Sequence, residues 1–571
     1  MTSDAGYLVD DFPRERTYVL PALHAVQAHE GYLSPAGLEG VSRHLRVPNS
    51  ELYGIAGSYS ELRFQPPAAD HWIEVCTGLS CRLAGADALL EELRGGADVP
   101  VGAVPCRFRC DVAPVACIES TSGALPSYLD HATAGSVRAG LEGVRADRGP
   151  AFERSYGSTP RGPEVKRVLL RAAADARLHS PSAERLRAAY GGLPVARSMS
   201  PEAATELVVA SGLLGRGGAY FPTGRKWQTA RALPGPRYLV VNAEEGEPGV
   251  FKDRFLLEHD PHLLVEGLLI AAHAIEAARV FVYVNGEAWL SANLLEQALS
   301  EARMAGLVGD LVIEVRRGAG GYVCGEESVI LNSIEGERAV PRLRPPLPVE
   351  RGLWGRPTVI NNVETLANLP SIFRDGVQAF RSVGTEAQPG TKIISLSGAV
   401  VTPGVYEVPL GTSLRAVIEE LGGGALPGRE MRAALCGGPS GGLLPPGLFD
   451  TPLLGGALDA GGAALGAGGI VVIDDSFPIA EVVAHLATYN AAESCGKCTP
   501  CREGAPRMRD LLVDLAARDT SRPAPADAID LLDALDEAMS SASLCGLGQM
   551  AALPYRSART HFLEELTGGA S

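Results

Sequence analysis

The sequence predicts a multidomain α/β protein with helical segments at both ends. Three observations carry that reading: the length, the changing period of the apolar residues, and the grouping of the cysteines. With 571 residues the chain is long enough for several domains, and 46% hydrophobic with 21% charged residues is a globular composition. Glycine and proline, 67 and 41 residues, imply many turns and close backbone approaches. The formal net charge of −16 speaks against nucleic acid as a partner, because phosphate neutralisation needs a basic face. The longest apolar run, Leu263 to Val284, is broken by Glu266, Glu276 and Arg279 and reads as a buried helix running into a strand rather than a bilayer span. The N-terminal MTSDAGYLVDDFPRER lacks the basic and apolar regions of a secretion signal, so a soluble cytoplasmic protein is expected.

Taken in order, Leu20 to Pro67 is helical in period, with breaks at Gly, Ser and Pro. A strand-like IEVCTG (Ile73–Gly78), a helix around ADALLEELRGG, and strands in VGAVPC and PVACIES make a small α/β unit. The polar, Gly- and Pro-rich RADRGPAFERSYGSTPRGP (Arg145–Pro163) reads as a linker. A larger α/β region follows to about 385. Lys392–Tyr406 has the form of a hairpin around Thr-Pro-Gly, a helix is expected over Ser413–Leu421, and GIVVIDD closes this β-rich unit. From Pro478 onward the pattern is helical apart from one cysteine loop.

Eleven cysteines stand at 76, 81, 106, 110, 117, 324, 436, 495, 498, 501 and 545. Disulfides fit poorly, since cytosolic thiols stay reduced. Cys495, Cys498 and Cys501 form C-x2-C-x2-C, and with the distant Cys545 this is the spacing of [4Fe–4S] ligation; zinc, which usually takes two C-x2-C knuckles, is the alternative. Cys76 and Cys81 (C-x4-C) with Cys106 and Cys110 (C-x3-C) fit the two irons of a [2Fe–2S] centre, with zinc again possible. Cys117, Cys324 and Cys436 stand alone and read as small buried hydrophobes.

Three glycine-rich runs flank expected strands. LLGRGGAYFPTGRKW (Leu213–Trp227) offers backbone N–H groups and cations to a phosphate, yet it fails the dinucleotide fingerprint because Tyr220 occupies the third glycine position. VNAEEGEPGVFKDR (Val241–Arg254) and RRGAGGYVCGEES (Arg316–Ser328) carry carboxylates, which can accept hydrogen bonds from a flavin ring or ribityl hydroxyls. Either acidic run alone would read as a solvated face. Together the three argue for one large cofactor pocket.

With GAGGYVCGEESVILNSIEGERAVPRLRPPLP, GRPTVINNVETLANLP and ESCGKCTPCREG, these runs resemble the flavoprotein subunit that oxidises NADH in respiratory complex I, NAD-linked hydrogenases and NAD-linked formate dehydrogenases. The resemblance spans about 165 to 565, while the first 145 residues resemble the thioredoxin-like [2Fe–2S] subunit of those complexes. It implies a helical lead-in and thioredoxin-like ferredoxin domain at 1–145, a linker at 146–163, an α/β FMN/NADH-binding domain at 164–385, a small β-grasp domain at 386–477 and a helical [4Fe–4S] domain at 478–571. FMN would lie on Gly215, Arg216, Gly217 and Lys226, with Asn361, Asn362 and Thr365 near its phosphate. Asn242, Glu244 and Glu245 would face the flavin, and Tyr322, Gly325 and Glu326 would line the pocket. Phe221 and Glu247 would hold the nicotinamide of NAD against the flavin, and Glu327 would take the adenosine ribose and oppose the extra phosphate of NADP. No general base is implied, because the cofactor carries the chemistry.

The chain departs from the family pattern at Tyr220 (usually glycine), Glu244 (aspartate) and Arg344 (lysine), and it has Leu347 and Thr229 where aromatics are expected near the adenine. The Cys81–Cys106 spacer is also short. A fused chain without further iron–sulfur domains most resembles the NAD-reducing beta subunit of formate dehydrogenase. Its expected partner is a molybdenum or tungsten alpha subunit with further iron–sulfur clusters, in a hetero-oligomer without membrane insertion. The competing readings are a hydrogenase diaphorase, a fused complex I module, and a non-catalytic scaffold with zinc in both cysteine sites.

Overall fold

The computed structural model describes residues 9–121, 126–146, 182–518 and 525–567. The linker expected at 146–163 lies, beyond Ala146, outside the described residues, as does the chain up to 181.

Helices Val19–Glu30, Pro35–Leu45 and Asn49–Ala56 form the lead-in. The second starts where Ser34 accepts from the Gly37 N–H with Pro35 in the first turn, and the first stops at left-handed Gly31. Their apolar stripes close on a distant partner. Val19, Leu23, Val26, Val41, Leu52 and Ile55 share a core with Val240, Phe281, Tyr283, Val329 and Ile360. The unit expected at 1–145 therefore contributes to two cores.

The second is built on β1 (His71–Cys76), β2 (Val101–Val104), β3 (Ala116–Ser120) and β4 (Ser127–Leu129), in spatial order β2-β1-β3-β4. β1 and β2 run parallel, joined through the helix Ala86–Gly96, and the other pairs are antiparallel. This is the thioredoxin-like arrangement the resemblance implies.

The central sheet holds β5 (Arg237–Ala243), β6 (Ala277–Val284), β7 (Val312–Arg317) and β8 (Thr358–Asn362), all parallel, in order β7-β6-β5-β8. Strand alternation divides its two faces. Val280, Val282 and Val284 pack on helices Pro261–Ile275 and Trp289–Met304, while Phe281 and Tyr283 pack on the lead-in. Sequence order reverses between β5 and β8, and the crevice beyond the carboxyl ends of strands at such a point is where α/β sheets bind ligands.

A five-stranded mixed sheet follows, with β9 (Thr391–Gly398), β10 (Gly404–Pro409), β11 (Met431–Cys436), β12 (Gly442–Leu444) and β13 (Gly469–Asp474) in order β10-β9-β13-β11-β12. The expected hairpin is β9–β10. The helix expected over 413–421 is π-helical at Ala416–Leu421, where the Gly422 N–H bonds the Val417 carbonyl at 2.9 Å. That wider turn sets Gly422 against Leu396 and Val400, where a Cβ would stand 2.6 and 2.8 Å from their side chains. The C-terminal region is helical, with Ile479–Ala492, Thr499–Ala517 and Ala526–Ala542 as its longest members. Among the described residues no helix is long and apolar enough to cross a membrane.

Candidate flavin, nucleotide and iron–sulfur site

The motif residues gather at the carboxyl ends of β5 to β8. The Gly215–Gly217 loop is tied down by Arg216, whose N–H donates to Thr365 Oγ1 at 2.8 Å. The Arg216 guanidinium is fully buried and donates to the carbonyls of Leu214, Pro389 and Thr391 at 3.1, 2.9 and 3.0 Å. Burial holds its pKa below the usual arginine range. It fastens the loop to β9 and its cation is committed to carbonyls. Gly217 needs to be glycine, because a Cβ there would lie 3.0 Å from that of Asn362.

Lys226 Nζ donates to Glu327 Oε1 at 2.7 Å and to the Ile360 carbonyl at 3.0 Å. Asn361 Oδ1 accepts from the Trp227 indole at 2.9 Å. Asn362 accepts from the Glu364 N–H at 3.0 Å, capping the helix Val363–Ala367, and donates to Asp253 at 2.6 Å.

Beneath this loop cluster lies a charge network that sequence reasoning did not assign. Lys252, Glu364 and Lys392 have wholly buried side chains, with Lys252 Nζ 3.0 Å from Glu364 Oε2, which also pairs with Lys392. Burial pushes Lys392 down to about 7 even with Glu364 beside it. Burial would raise Glu364, but Lys392 and Lys252 overcome it and hold the carboxyl below its ordinary range. Lys252 sits in the quoted VFKDR run and Glu364 in NNVETL. Nothing in the sequence signals that Lys392, from the β-rich unit, completes the set.

The carboxylates divide by what they touch. Glu245, expected to face the flavin, accepts instead from the N–H groups of Asp253 and Arg254 at 2.7 and 2.9 Å, at the start of the helix Lys252–His259. The four N–H groups at a helix start need such an acceptor, and the short turn delivers Glu245 to them. Glu326 caps the helix Glu327–Glu335 through Ser328 and Val329 and pairs with Arg344, so the family-lysine position still supplies a cation. Asn242 donates to the Gly325 carbonyl at 3.0 Å and accepts from the Glu244 N–H at 3.1 Å, joining two of the motif loops.

Glu244 and Glu247 each keep a buried oxygen without a partner in the protein: Glu244 Oε2 and Glu247 Oε1. Glu244 Oε1 is occupied by Asn285 at 2.5 Å. Burial raises Glu244 to about 8 and Glu247 to about 7. Two orphaned acceptors beside a glycine-built loop fit a flavin and a nicotinamide carboxamide, both of which carry N–H donors. Phe221 is 52% exposed and leaves its ring open to a ligand.

Tyr220 accounts for its own departure from the pattern. Its φ of +51° is in the left-handed region that glycine adopts freely, and its ring lies where a Cβ on Gly455 would meet it at 2.5 Å. Its hydroxyl donates to the Gly466 carbonyl at 3.2 Å. A tyrosine is tolerated because it docks on the β9–β13 unit.

The N-terminal thiols converge. Cys106 Sγ is 3.9 Å from Cys110 Sγ, and a Cβ on Gly78 would be 3.6 Å from the sulfurs of both Cys76 and Cys106. Hydrogen bonds from the Cys106 and Cys81 thiols hold Cys76 well below the usual thiol range, with backbone N–H groups of Gly78 and Arg107 assisting. This donor set suits thiolate ligation of iron. At the C-terminal site Cys498 and Cys545 immediately precede the helices Thr499–Ala517 and Gly546–Met550, while Cys501 lies inside the first. Cys501 packs with Cys498, Cys545, Leu547 and Tyr322, so Tyr322 joins the glycine loop after β7 to this thiol group. Cys117, Cys324 and Cys436 are buried, and burial pushes their thiols up, Cys436 to about 12.

Residues 208–371 match the Nuo51 FMN-binding domain and 481–568 the NADH-ubiquinone oxidoreductase-F iron-sulfur binding region. Residues 6–137 match the thioredoxin-like [2Fe-2S] ferredoxin, and 393–444 the SLBB domain. The NADH-quinone oxidoreductase NuoF-type flavoprotein of Aquifex aeolicus (strain VF5) is 39% identical over 73% of this chain and 96% of its own length. The chain belongs to the NuoF family of NADH-quinone oxidoreductases. A NuoF-type chain is an NAD(H)-dependent oxidoreductase module, and this one is an NADH-oxidising flavoprotein with FMN-binding, [4Fe–4S] and [2Fe–2S] domains. The NADP-reducing hydrogenase subunit HndC of Solidesulfovibrio fructosivorans is 41% identical over 66% of this chain and 78% of its own. A crystal structure of an NAD+-reducing [NiFe]-hydrogenase in the H2-reduced state matches with TM-score 0.82 and 33% identity, covering 97% of this chain and 93% of that one.

Proposed function

We propose that the chain exchanges hydride between NAD(H) and FMN and hands electrons singly to the C-terminal [4Fe–4S] cluster, with the [2Fe–2S] centre beside that path. The observation that carries this is the pair of orphaned buried acceptors, Glu244 Oε2 and Glu247 Oε1, at the carboxyl end of β5. FMN supplies the conversion between two-electron and one-electron transfer when bound. The Gly215–Gly217 loop, Lys226, Asn361, Asn362 and Thr365 hold its phosphate and ribityl chain, with Asn242, Glu244, Tyr322, Gly325 and Glu326 around the ring. Glu247 orients the nicotinamide and Phe221 shields it. Glu327, neutralised in part by Lys226, takes the adenosine ribose. These residues bind, orient and exclude water, which is what a stacked hydride transfer asks of a protein. Cys495, Cys498, Cys501 and Cys545 hold the [4Fe–4S] cluster, and Cys76, Cys81, Cys106 and Cys110 the [2Fe–2S] centre.

The partner we propose is a molybdenum or tungsten formate dehydrogenase alpha subunit carrying further clusters, in a cytoplasmic hetero-oligomer. The fused, compact architecture without additional iron–sulfur domains supports it. A hydrogenase partner is favoured by one specific observation, the end-to-end likeness to the NAD+-reducing [NiFe]-hydrogenase chain. Purification of the intact complex and assay of NAD+ reduction with formate and, separately, with hydrogen decides between them. Formate-dependent reduction with a co-purifying molybdenum or tungsten subunit is expected; hydrogen-dependent reduction alone would overturn the formate reading.

A further inference from the structure

The loop between Cys106 and Cys110 is gripped by the flavin-binding domain. Cys106, Phe108 and Cys110 pack in the same core as Phe251, Phe255 and the helix Pro261–Ile275. Phe108, at a left-handed φ of +53°, lies under the Arg254 guanidinium at 4.7 Å. Arg254 in turn donates to Asn285 Oδ1 at 2.9 Å, and Asn285 holds Glu244.

The adjoining residue, Arg107, is buried and engages three carboxylates. Glu74 on β1 and Glu119 on β3 (3.4 Å) belong to its own domain, whereas Glu287 (3.3 Å) stands on the loop after β6. Glu287 Oε2 has no partner in the protein. The group borders a cavity of about 380 Å³ that separates the two domains and is also lined by Glu61, Arg63 and Arg317. Both of those arginines are engaged elsewhere, Arg63 over the Trp72 ring at 4.8 Å and Arg317 on the Gly286 carbonyl at 2.6 Å. One buried guanidinium thus faces three acidic side chains, one residue along the chain from a thiol of the N-terminal site.

We infer that Glu287 of the flavin-binding domain sets the reduction potential of the N-terminal [2Fe–2S] centre through Arg107. This rests on the reading of Cys76, Cys81, Cys106 and Cys110 as its ligands. Reduction adds one electron to a centre already surrounded by thiolates, so net negative charge held close by in a poorly screened interior disfavours it and lowers the potential. Glu287 partly cancels the one cation on the cluster loop. Removing its charge leaves Arg107 freer to stabilise the reduced centre.

The test is a redox titration of the reconstituted full chain, followed by electron paramagnetic resonance, for wild type, Glu287→Gln, Glu287→Asp and Glu119→Gln. The [2Fe–2S] midpoint is expected to move to more positive potential in Glu287→Gln and to return toward wild type in Glu287→Asp, with the [4Fe–4S] midpoint unmoved. Glu119→Gln takes a carboxylate from the same guanidinium without touching the domain contact, and a positive shift there supports the electrostatic route even where Glu287→Gln fails to fold. An unmoved [2Fe–2S] midpoint in Glu287→Gln, or equal shifts at both clusters, would overturn the inference. Absence of a [2Fe–2S] signal from wild type would overturn the ligand reading, and the inference with it.

Discussion

Lys226 Nζ stands 2.7 Å from Glu327 Oε1, at the edge of the crevice where the adenosine end of the nucleotide is placed. The Glu327 side chain is 35% exposed, so part of its charge reaches an approaching ligand despite the lysine. Glu327→Gln removes the repulsion felt by a 2′-phosphate. The ratio of kcat/KM for NADPH over NADH is expected to rise about tenfold, equivalent to ~1.4 kcal/mol. Steady-state dye reduction with both nucleotides measures it.

The buried set of Lys252, Glu364 and Lys392 joins the central sheet to the β9–β13 unit. Breaking it by Glu364→Gln leaves two buried ammonium groups without their shared anion. A loss of about 3–5 kcal/mol is expected, read as a fall in Tm and in FMN retention. A variant as stable as wild type would show that the network is not a structural joint.

Stability of the flavin-free chain is expected to depend on Glu247. Burial raises its pKa from 4.5 to about 7, so between those values the folded chain holds a proton that the unfolded chain has released. The native state binds more protons there, and stability falls as pH rises through the window. Glu244, raised to about 8, adds a contribution of the same sign over 4.5 to 8. Denaturant midpoints measured across pH are expected to show a shallower fall in Glu247→Gln.

At Tyr220 two effects oppose each other. Glycine there relieves a left-handed φ worth about 1 kcal/mol, but it gives up the ring packing on Gly455, worth roughly 1.5–3 kcal/mol. Alanine keeps the strain and loses the ring. The expected order of stability is Tyr above Gly above Ala, checked by thermal unfolding of the three proteins.

Leu347 is 48% exposed, and Thr229 turns its hydroxyl onto the Arg225 carbonyl at 3.0 Å. Neither offers a ring to the adenine. Leu347→Phe is expected to tighten NADH by about 0.5–1.5 kcal/mol, up to roughly tenfold in Kd, measurable by calorimetry.

The thiol groups, the parallel sheet and the β9–β10 hairpin were legible in the sequence because each is written locally. Cys495 to Cys501 are neighbours along one loop, and β6 is a continuous apolar run, as a strand buried on both faces must be. What packs against what was less legible. The helical period over Val19–Ala56 shows that those helices bury one face, but period alone carries no address, and the face lies on the central sheet. Glu245 illustrates the same limit from within a motif. Its type suits a flavin contact, and only the turn into the helix Lys252–His259 shows that its oxygens are taken. Lys392 was invisible for a different reason: a buried lysine is credible only beside a carboxylate, and its partner Glu364 belongs to another domain.

The most direct measurement is an anaerobic titration of the reconstituted chain with NADH, following flavin absorbance and electron paramagnetic resonance together. Bleaching of the flavin with stoichiometric NADH, accompanied by a reduced iron–sulfur signal, is the expected result. Flavin that stays oxidised in a preparation loaded with FMN and iron, or that bleaches while both clusters remain oxidised at potentials low enough to reduce them, would contradict the account.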